Sequence, residues 1–318
     1  MTKYLQDKVA ILTGAGSGLG RAHAFELARH GARVIVNDIP ARDGGSSPAH
    51  AVADEIRRCG GLAMAHVGDV TRYADMEGMA AQALATWDRI DILVNNAGIL
   101  RDKSFAKVTL EDFRLVLDVH VMGAVNATKA VWGIMQSQHH GRIVMTTSSS
   151  GLYGNFGQAN YGAAKMALVG LMQTLAIEGA RHDVRVNCLA PSAATAMTEG
   201  VLPPEALAKL TPDRVSPGLI ALVGDDAPTR MILLAGAGSF ECAHVTMTQG
   251  VFIEQGDGFA ERLRDRLNDV SSRDGERVPR QGWEQYLLEV EKAGSYSETS
   301  KIRDCALSMS SVEPLGVK

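Results

Sequence analysis

The chain has 318 residues, 46% of them hydrophobic, a net charge of -4 and a pI near 6.1. That length and apolar content can bury a large core, while the mildly acidic balance excludes the strongly basic face of a nucleic-acid binder. The four cysteines Cys59, Cys188, Cys242 and Cys305 form no CxxC pair and have no histidine at zinc-ligand spacing, so buried thiols in a reducing compartment are expected and a metal site is not. The polar start Met1 to Lys8 has no apolar signal segment, and no run reaches the ~18 apolar residues of a membrane span. A cytoplasmic protein with no membrane span is the expectation.

Short apolar runs alternate with helical stretches along most of the chain. The runs are Lys8 to Thr13, Arg33 to Val36, Leu62 to Val67, Asp91 to Val94, Arg142 to Thr146, Val184 to Leu189 and Met231 to Leu234. Such alternation predicts an α/β fold, a doubly wound parallel sheet covered on both faces.

The turn after the first run reads Thr13-Gly14-Ala15-Gly16-Ser17-Gly18-Leu19-Gly20 and leads into the helical Arg21 to Arg29. Glycines there let the backbone approach a pyrophosphate at a helix N-terminus, where free N–H groups and the helix dipole favour an anion. The glycines fit TGxxxGxG rather than GxGxxG. Asp38 follows the second run, eighteen residues past Gly20, where a carboxylate can accept hydrogen bonds from an adenosine ribose diol and repel a phosphate. With Ser17 in place of a basic residue, NAD is expected over NADP; a loop aspartate that caps a turn is the plainer reading, and Arg42 is the residue that could upset the preference.

Further on, Thr109 and Asp112 make a capping-box pattern with Val108 and Phe113 at the staple positions, so one long helix is predicted from Thr109 to about Gln138. Tyr161 and Lys165 stand four apart, on one face of the next helix. An ammonium ~5 Å from the phenol, at an effective dielectric near 20, gives about 3 kcal/mol and lowers the phenol pKa by about two units. Tyr161 then suits acid/base work near neutral pH, and Ser148, at the end of the run Arg142 to Thr146, can bond the same substrate oxygen. The trio suits interconversion of an alcohol and a ketone. The stretch Tyr161 to Ala180 is apolar on nearly every side, so its outer side is expected to meet a second subunit.

After Leu234 the alternation stops. Ser239 to Thr248 extends the last strand into an arm, Phe259 to Val270 and Gly282 to Lys292 read as helices, and Ala293 to Lys318 is a Ser-rich tail. The expected organisation is a catalytic domain, residues 1–238, with an extension, residues 239–318.

TGxxxGxG, Asn95-Asn96-Ala97-Gly98 and Ser148 with Tyr161-x-x-x-Lys165 together resemble the short-chain dehydrogenase/reductase family over roughly residues 5 to 240. The resemblance implies a Rossmann-type sheet and a homodimer or homotetramer. It implies Tyr161 as acid/base, Lys165 on the nicotinamide ribose, Ser148 on the substrate oxygen, Asp69 and Val70 at the adenine, and Asn95, Ala97 and Gly98 as a wall of the cofactor site. Pro191 and Thr195 would lie at the carboxamide, within Pro191-Ser192-Ala193-Ala194-Thr195, which departs from the family's usual Pro-Gly. His120 stands where many members have an asparagine, either as a proton relay or as an orienting, packed residue.

Val119-His-Val-Met-Gly123, the run Ser150 to Tyr161 and Ala190-Pro191 through Met197-Thr198 resemble a subgroup of that family, the (3R)-hydroxyacyl-CoA dehydrogenases. The likeness fades beyond about Gly238, and the chain is short for the hydratase and sterol-carrier regions that follow in that subgroup, so a separate hydratase is expected to supply the substrate. Leu152, Phe156 and Met197 would line an apolar pocket that suits an acyl chain or a steroid, with Arg101, Lys103 and Lys107 as candidates for CoA phosphates. A 17β- or 3-hydroxysteroid is the alternative substrate, and a non-catalytic nucleotide-binding regulator is the competing class.

Overall fold

The computed structural model describes residues 3–41, 45–195 and 203–294. In chain order its elements are β1 (Val9–Leu12), α1 (Gly18–Arg29), β2 (Arg33–Asp38), α2 (Pro48–Arg58), β3 (Leu62–Val67), α3 (Tyr73–Trp87) and β4 (Ile92–Asn95). There follow α4 (Leu110–Leu117), α5 (Gly123–Gln138), β5 (Gly141–Thr146), α6 (Ser149–Tyr153), α7 (Ala159–Gly179), β6 (Val184–Ser192), α8 (Pro204–Leu207), α9 (Ser216–Val223), β7 (Ile232–Gly236) and β8 (Ser239–Ala243). The strands form one sheet in the order β3-β2-β1-β4-β5-β6-β7-β8, parallel except for the antiparallel β8.

Period-two alternation divides the core between the faces of this sheet. Ala10, Leu12, Val34, Val36, Ile92 and Val94 pack with Leu27 of α1, Ile56 of α2 and Leu219 of α9. Val9, Ile11, Ile35, Leu93, Ile143 and Val186 pack with Met76 of α3, Val131 of α5 and Leu168 of α7. Both faces are covered, which is why the strands read as continuous apolar runs rather than alternating ones. Each fully buried Leu or Ile contributes about 2 kcal/mol.

The helix expected to run unbroken from Thr109 is interrupted. Thr109 caps it as predicted, its Oγ1 accepting from Asp112 N at 3.1 Å, but Asp118–Met122 form a π-helical turn between α4 and α5. Such single wide turns inside a helix are frequent at functional sites, and no propensity signal announces them. Gly123 just beyond admits Val70, whose Cγ2 would lie 2.6 Å from any Cβ there.

The chain divides into two compact units, Met1–Ala243 and His244–Lys318. The arm expected after Gly238 therefore begins as β8, a strand of the main sheet. Within the second unit Met247 and Arg277 exchange backbone hydrogen bonds of 2.8 and 3.0 Å, and the predicted helix Phe259 to Val270 is broken at Arg266 into α10 (Phe259–Asp265) and α11 (Leu267–Val270), followed by α12 (Glu284–Lys292). The Ser-rich tail from Ser295 onwards and Cys305 lie outside the described residues. Cys188 is buried as expected, whereas Cys59 and Cys242 are exposed.

Candidate active site

The carboxyl ends of the parallel strands bring the sequence motifs together, the edge where open α/β sheets bind ligands. Thr13, at the end of β1, is the hub of the glycine turn: its Oγ1 accepts from Asn96 N at 3.1 Å and Ala97 N at 3.2 Å. Asn96 Nδ2 donates back to Thr13 O at 3.2 Å and Gly14 O at 2.9 Å. Sequence reasoning quoted both residues inside motifs but assigned neither this clamping role. Gly14 has φ +61°, and a Cβ on it would lie 2.6 Å from Ala97 Cα, so only glycine fits. A Cβ on Gly18, at φ +50°, would meet Thr195 Cγ2 at 3.4 Å, which sets Thr195 over the turn. Ser17 takes the N-cap position of α1 without a side-chain cap bond, and no acidic residue occupies the first turn. A glycine cradle at an uncapped helix start fits a pyrophosphate. Leu19 packs on the core below, and a Cβ on Gly20 would strike Gly14 O, so both hold the turn's shape.

Asp38 ends β2 against this turn. Its Oδ2 accepts from Gly16 N at 2.8 Å and its Oδ1 from Ile39 N at 2.8 Å. The turn-capping reading is thus realised, and each carboxylate oxygen keeps a further lone pair for a diol. Arg42 lies outside the described residues. Asp69 Oδ1 accepts from Thr71 N at 2.9 Å and Thr71 Oγ1 at 2.8 Å, opening the approach to α3. Val70 is buried, its carbonyl accepting from Asn126 Nδ2 at 2.9 Å. Asn95 turns its amide inward to Thr128 Oγ1 at 3.1 Å, while Pro191 sits near the end of β6, paired in register with Ala235.

Ser148, Tyr161, Lys165 and His120 converge beside Gly98. Ser148 caps α6, its Oγ accepting from Ser150 N at 3.2 Å, and it shares a side-chain hydrogen bond with the Tyr161 hydroxyl. Lys165 Nζ donates to Thr146 O at 2.6 Å and lies 5.5 Å from the centre of the Tyr161 ring. Thr147 Oγ1, absent from the sequence-level candidates, donates to Lys165 O at 2.6 Å and fixes α7 to β5.

One electrostatic expectation is overturned. The phenol of Tyr161 lies above, not below, its ordinary value, because burial pushes it up more than the Ser148 hydrogen bond lowers it, and the Asp102 charge adds to the rise. Lys165 falls from 10.5 to about 7, again through burial. Coulomb attraction lowers a phenol only as far as the lysine beside it is charged, and desolvation removes much of the Lys165 charge near neutrality.

His120 reaches the site from the π-helical turn. Its Nε2 lies 2.8 Å from Ile99 O and 3.0 Å from Ile99 N, and its ring meets Tyr161 edge-on, 5.3 Å between centroids at 85°. Burial, helped by the Lys165 charge, pushes its pKa to about 3 against the opposing Ile99 hydrogen bond, so the imidazole is neutral at physiological pH. A Cβ on Gly98 would strike His120 Cε1, which explains that glycine.

At the rim, Arg101 and Lys103 are both engaged by Asp112, at 3.6 and 3.0 Å, and Lys107 is exposed. Phe156 is 92% exposed, Leu152 packs against the core, and Met197 lies outside the described residues. The expected apolar pocket is therefore not formed by these three together among the described residues.

The profile of the short chain dehydrogenase family matches residues 8–205, and the chain belongs to that family. More particularly, it is 42% identical over 284 residues to peroxisomal multifunctional enzyme A of Dictyostelium discoideum, a match that covers 88% of this chain and 63% of that protein. It is similar, at TM-score 0.74 and 34% identity, to the full-length peroxisomal multifunctional enzyme type 2 of Drosophila melanogaster, covering 91% of this chain and 51% of that one. A third likeness, at TM-score 0.67 and 30% identity over 74% of this chain and 95% of the other, is to a 7α-hydroxysteroid dehydrogenase solved with NADH and 7-oxo glycochenodeoxycholic acid. The chain spans less than two thirds of the length of its multifunctional relatives. The match to the Dictyostelium protein, at 88% of the chain, extends past residues 1–238, about three quarters of it, at a lower identity than the 48% over 66% of the chain shared with the mouse peroxisomal multifunctional enzyme type 2.

Proposed function

We propose that this chain is an NAD-dependent oxidoreductase that interconverts (3R)-hydroxyacyl-CoA and 3-ketoacyl-CoA. The observation that carries the chemistry is the convergence of Ser148, Tyr161 and the buried Lys165 beside the glycine turn. A bound nicotinamide supplies the acceptor for the hydride of the carbinol carbon. Ser148 orients the substrate oxygen. Tyr161, kept protonated by burial, donates its proton to that oxygen in the ketone-reducing direction and recovers it in the reverse one, and Lys165, with a pKa of about 7, exchanges the proton near neutral pH. Gly14, Ser17, Gly18, Leu19, Gly20, Asp69, Val70, Asn95, Ala97, Gly98, Pro191 and Thr195 form the cofactor's surroundings, and Asp38 selects NAD through its free lone pairs and its charge. His120 orients Tyr161 and the Gly98 turn.

The acyl-CoA assignment rests on the subgroup resemblance and on relatives named peroxisomal multifunctional enzymes. A hydroxysteroid is the second reading, favoured by the likeness to the 7α-hydroxysteroid dehydrogenase. Purified protein assayed with NAD or NADP against 3-hydroxyacyl-CoA enantiomers and steroid alcohols decides between them. Oxidation of the (3R) enantiomer with NAD, with a KM that rises with ionic strength, is expected; turnover of steroids alone would promote the second reading.

Met166 and Ile177 of α7 and Leu110 and Leu115 at α4 are exposed, and a second copy of the chain is the proposed cover, tested by solution mass. Among the described residues no helix is long and apolar enough to cross a membrane. Relatives named peroxisomal set the expected cytoplasm against a second reducing compartment, and imaging of a tagged chain decides.

A further inference from the structure

Tyr161 lies in the first turn of α7, where backbone N–H groups have no partner within the helix. The usual partner is a side chain at the position before the helix, but Gln158, which holds that position, makes no such bond. Asn160 makes it from inside the turn, its Oδ1 accepting from Tyr161 N at 2.8 Å. Its Nδ2 donates to Arg101 O at 3.1 Å. The two partners fix the amide's orientation, since Tyr161 N can only donate and Arg101 O only accept. Asn160 is 1% exposed, and a buried amide engaged at both ends holds the groups it joins at a set distance.

The Arg101 carbonyl belongs to the segment that leaves the Gly98 turn, residues 99–103. At its near end Ile99 is engaged by His120, whose Nε2 lies 3.0 Å from Ile99 N and 2.8 Å from Ile99 O, and whose ring meets that of Tyr161 edge-on. At its far end Asn160 takes Arg101 O, Lys103 N donates to Gly157 O at 2.9 Å, and Gln158 Nε2 donates to Asp102 Oδ2 at 2.6 Å. The anchors of Ile99 and Arg101 are thus the two residues that hold Tyr161, one at its ring and one at its backbone. Residues 99–101 run between them and stay half-buried.

Resting on the dehydrogenase reading above, we propose that Asn160 is a positioning residue for the substrate. It sets residues 99–103 as a wall at a fixed distance from Tyr161, and the substrate is seated between that wall and the phenol. A wall that drifts by about an ångström loses the substrate's alignment with Tyr161. Neither partner of Asn160 belongs to the glycine turn, so cofactor affinity is not under its control.

Asn160→Asp separates the two bonds. At pH 9 its ionised carboxyl still accepts from Tyr161 N but turns an acceptor towards Arg101 O, so only the tie to the wall is lost. Under those conditions KM for the alcohol that wild type oxidises, a 3-hydroxyacyl-CoA on the first reading, should rise about tenfold. kcat should stay within about threefold of wild type, and NADH affinity, read by fluorescence titration, should be unchanged. Asn160→Ala removes both bonds, so the same rise in KM should be joined by a fall in kcat; Asn160→Ser, too short to span both partners, replaces either variant that does not fold. Independently of any substrate, amide hydrogen exchange across residues 99–103 should quicken in these variants while β5 stays protected. A fall in kcat without a rise in KM in Asn160→Asp, or unmoved exchange across residues 99–103, overturns this proposal alone. Failure of wild type to oxidise any 3-hydroxyacyl-CoA or steroid alcohol overturns the dehydrogenase reading and this proposal with it.

Discussion

Arg142 at the amino end of β5 and Lys165 beneath the carboxyl ends are nearly equally buried, 1% and 3% exposed, yet the molecule treats the two cations in opposite ways. Arg142 donates to Gly224 O, Gly141 O, Asp183 O, Asp225 O and Asp183 Oδ2, all between 2.7 and 3.0 Å. Around it lie the pairs Lys8–Asp225 at 2.7 Å, Arg185–Asp183 at 2.8 Å and Arg89–Asp91 at 2.6 Å. Burial pushes the Asp183 carboxyl up, but the hydrogen bonds from Arg142 and Arg185 outweigh it and leave the group below its ordinary range. Lys165 has no such carboxylate beside it among the described residues, only the Thr146 carbonyl, and its pKa collapses towards neutrality. One end of the sheet uses buried charge to join loops. The other leaves a group able to titrate, the mark of a chemical site.

The largest expected effect breaks the chemical end. Tyr161→Phe removes only the phenolic oxygen, so the protein should fold and bind NADH while kcat falls at least about a hundredfold, the scale of a lost general acid or base. Stopped-flow turnover together with NADH titration checks both halves; near-normal turnover refutes the assignment. The matching change at the structural end is Arg142→Met, which strands Asp183 and the loop carbonyls. It should cost about 3–5 kcal/mol in denaturant unfolding and leave kcat per folded molecule nearly unchanged.

Lys165 sharpens the comparison through pH. Its folded pKa of about 7 lies below the unfolded value of 10.5, so between these the unfolded state binds the extra proton and stability rises with pH. Below pH 7 both states are charged and the burial penalty is complete. Lys165→Met, although inactive, should therefore be more stable than wild type by a few kcal/mol at pH 6, with the gap closing towards pH 10. Unfolding curves that keep the same gap at both pH values would sink this account.

Much of this contrast was legible in the sequence at one end only. The strand runs, the glycine turn, the capping box at Thr109 and the spacing of Ser148, Tyr161 and Lys165 are local patterns, and local patterns survive in a string of letters. The Arg142 network joins loops before β1, β4, β5, β6 and β7, and no spacing rule links such residues. The π-helical turn at His120 packs its histidine against Gly98, a contact between distant positions that no local propensity records. The direction of the Tyr161 shift escapes the sequence for a related reason: a Coulomb attraction involves only two residues, whereas desolvation depends on everything around them. Asp102 and Gln158, fifty-six positions apart, were invisible for the same reason as Arg142.

A smaller effect is expected at Asp38. Asp38→Ala removes the diol acceptor, the repulsion of a 2′-phosphate and the bond to Gly16 N, so KM for NAD should rise about tenfold while use of NADP improves. If the wild type already prefers NADP, the carboxylate serves only the turn, and the cofactor assignment is wrong.

The smallest effect belongs to His120, and it separates relay from orientation. A relay histidine must gain and lose a proton in the working range, but burial holds this one near 3, and its Nε2 is engaged by the Ile99 backbone. An amide can make the same two contacts without titrating. His120→Asn should therefore keep kcat within about tenfold of wild type and leave the shape of the pH profile unaltered. Gly98→Ala, whose new Cβ would strike the His120 ring, should do more damage than removing the ring itself. A kcat profile that loses an ionisation in His120→Asn, with Gly98→Ala unaffected, would make His120 a proton carrier instead.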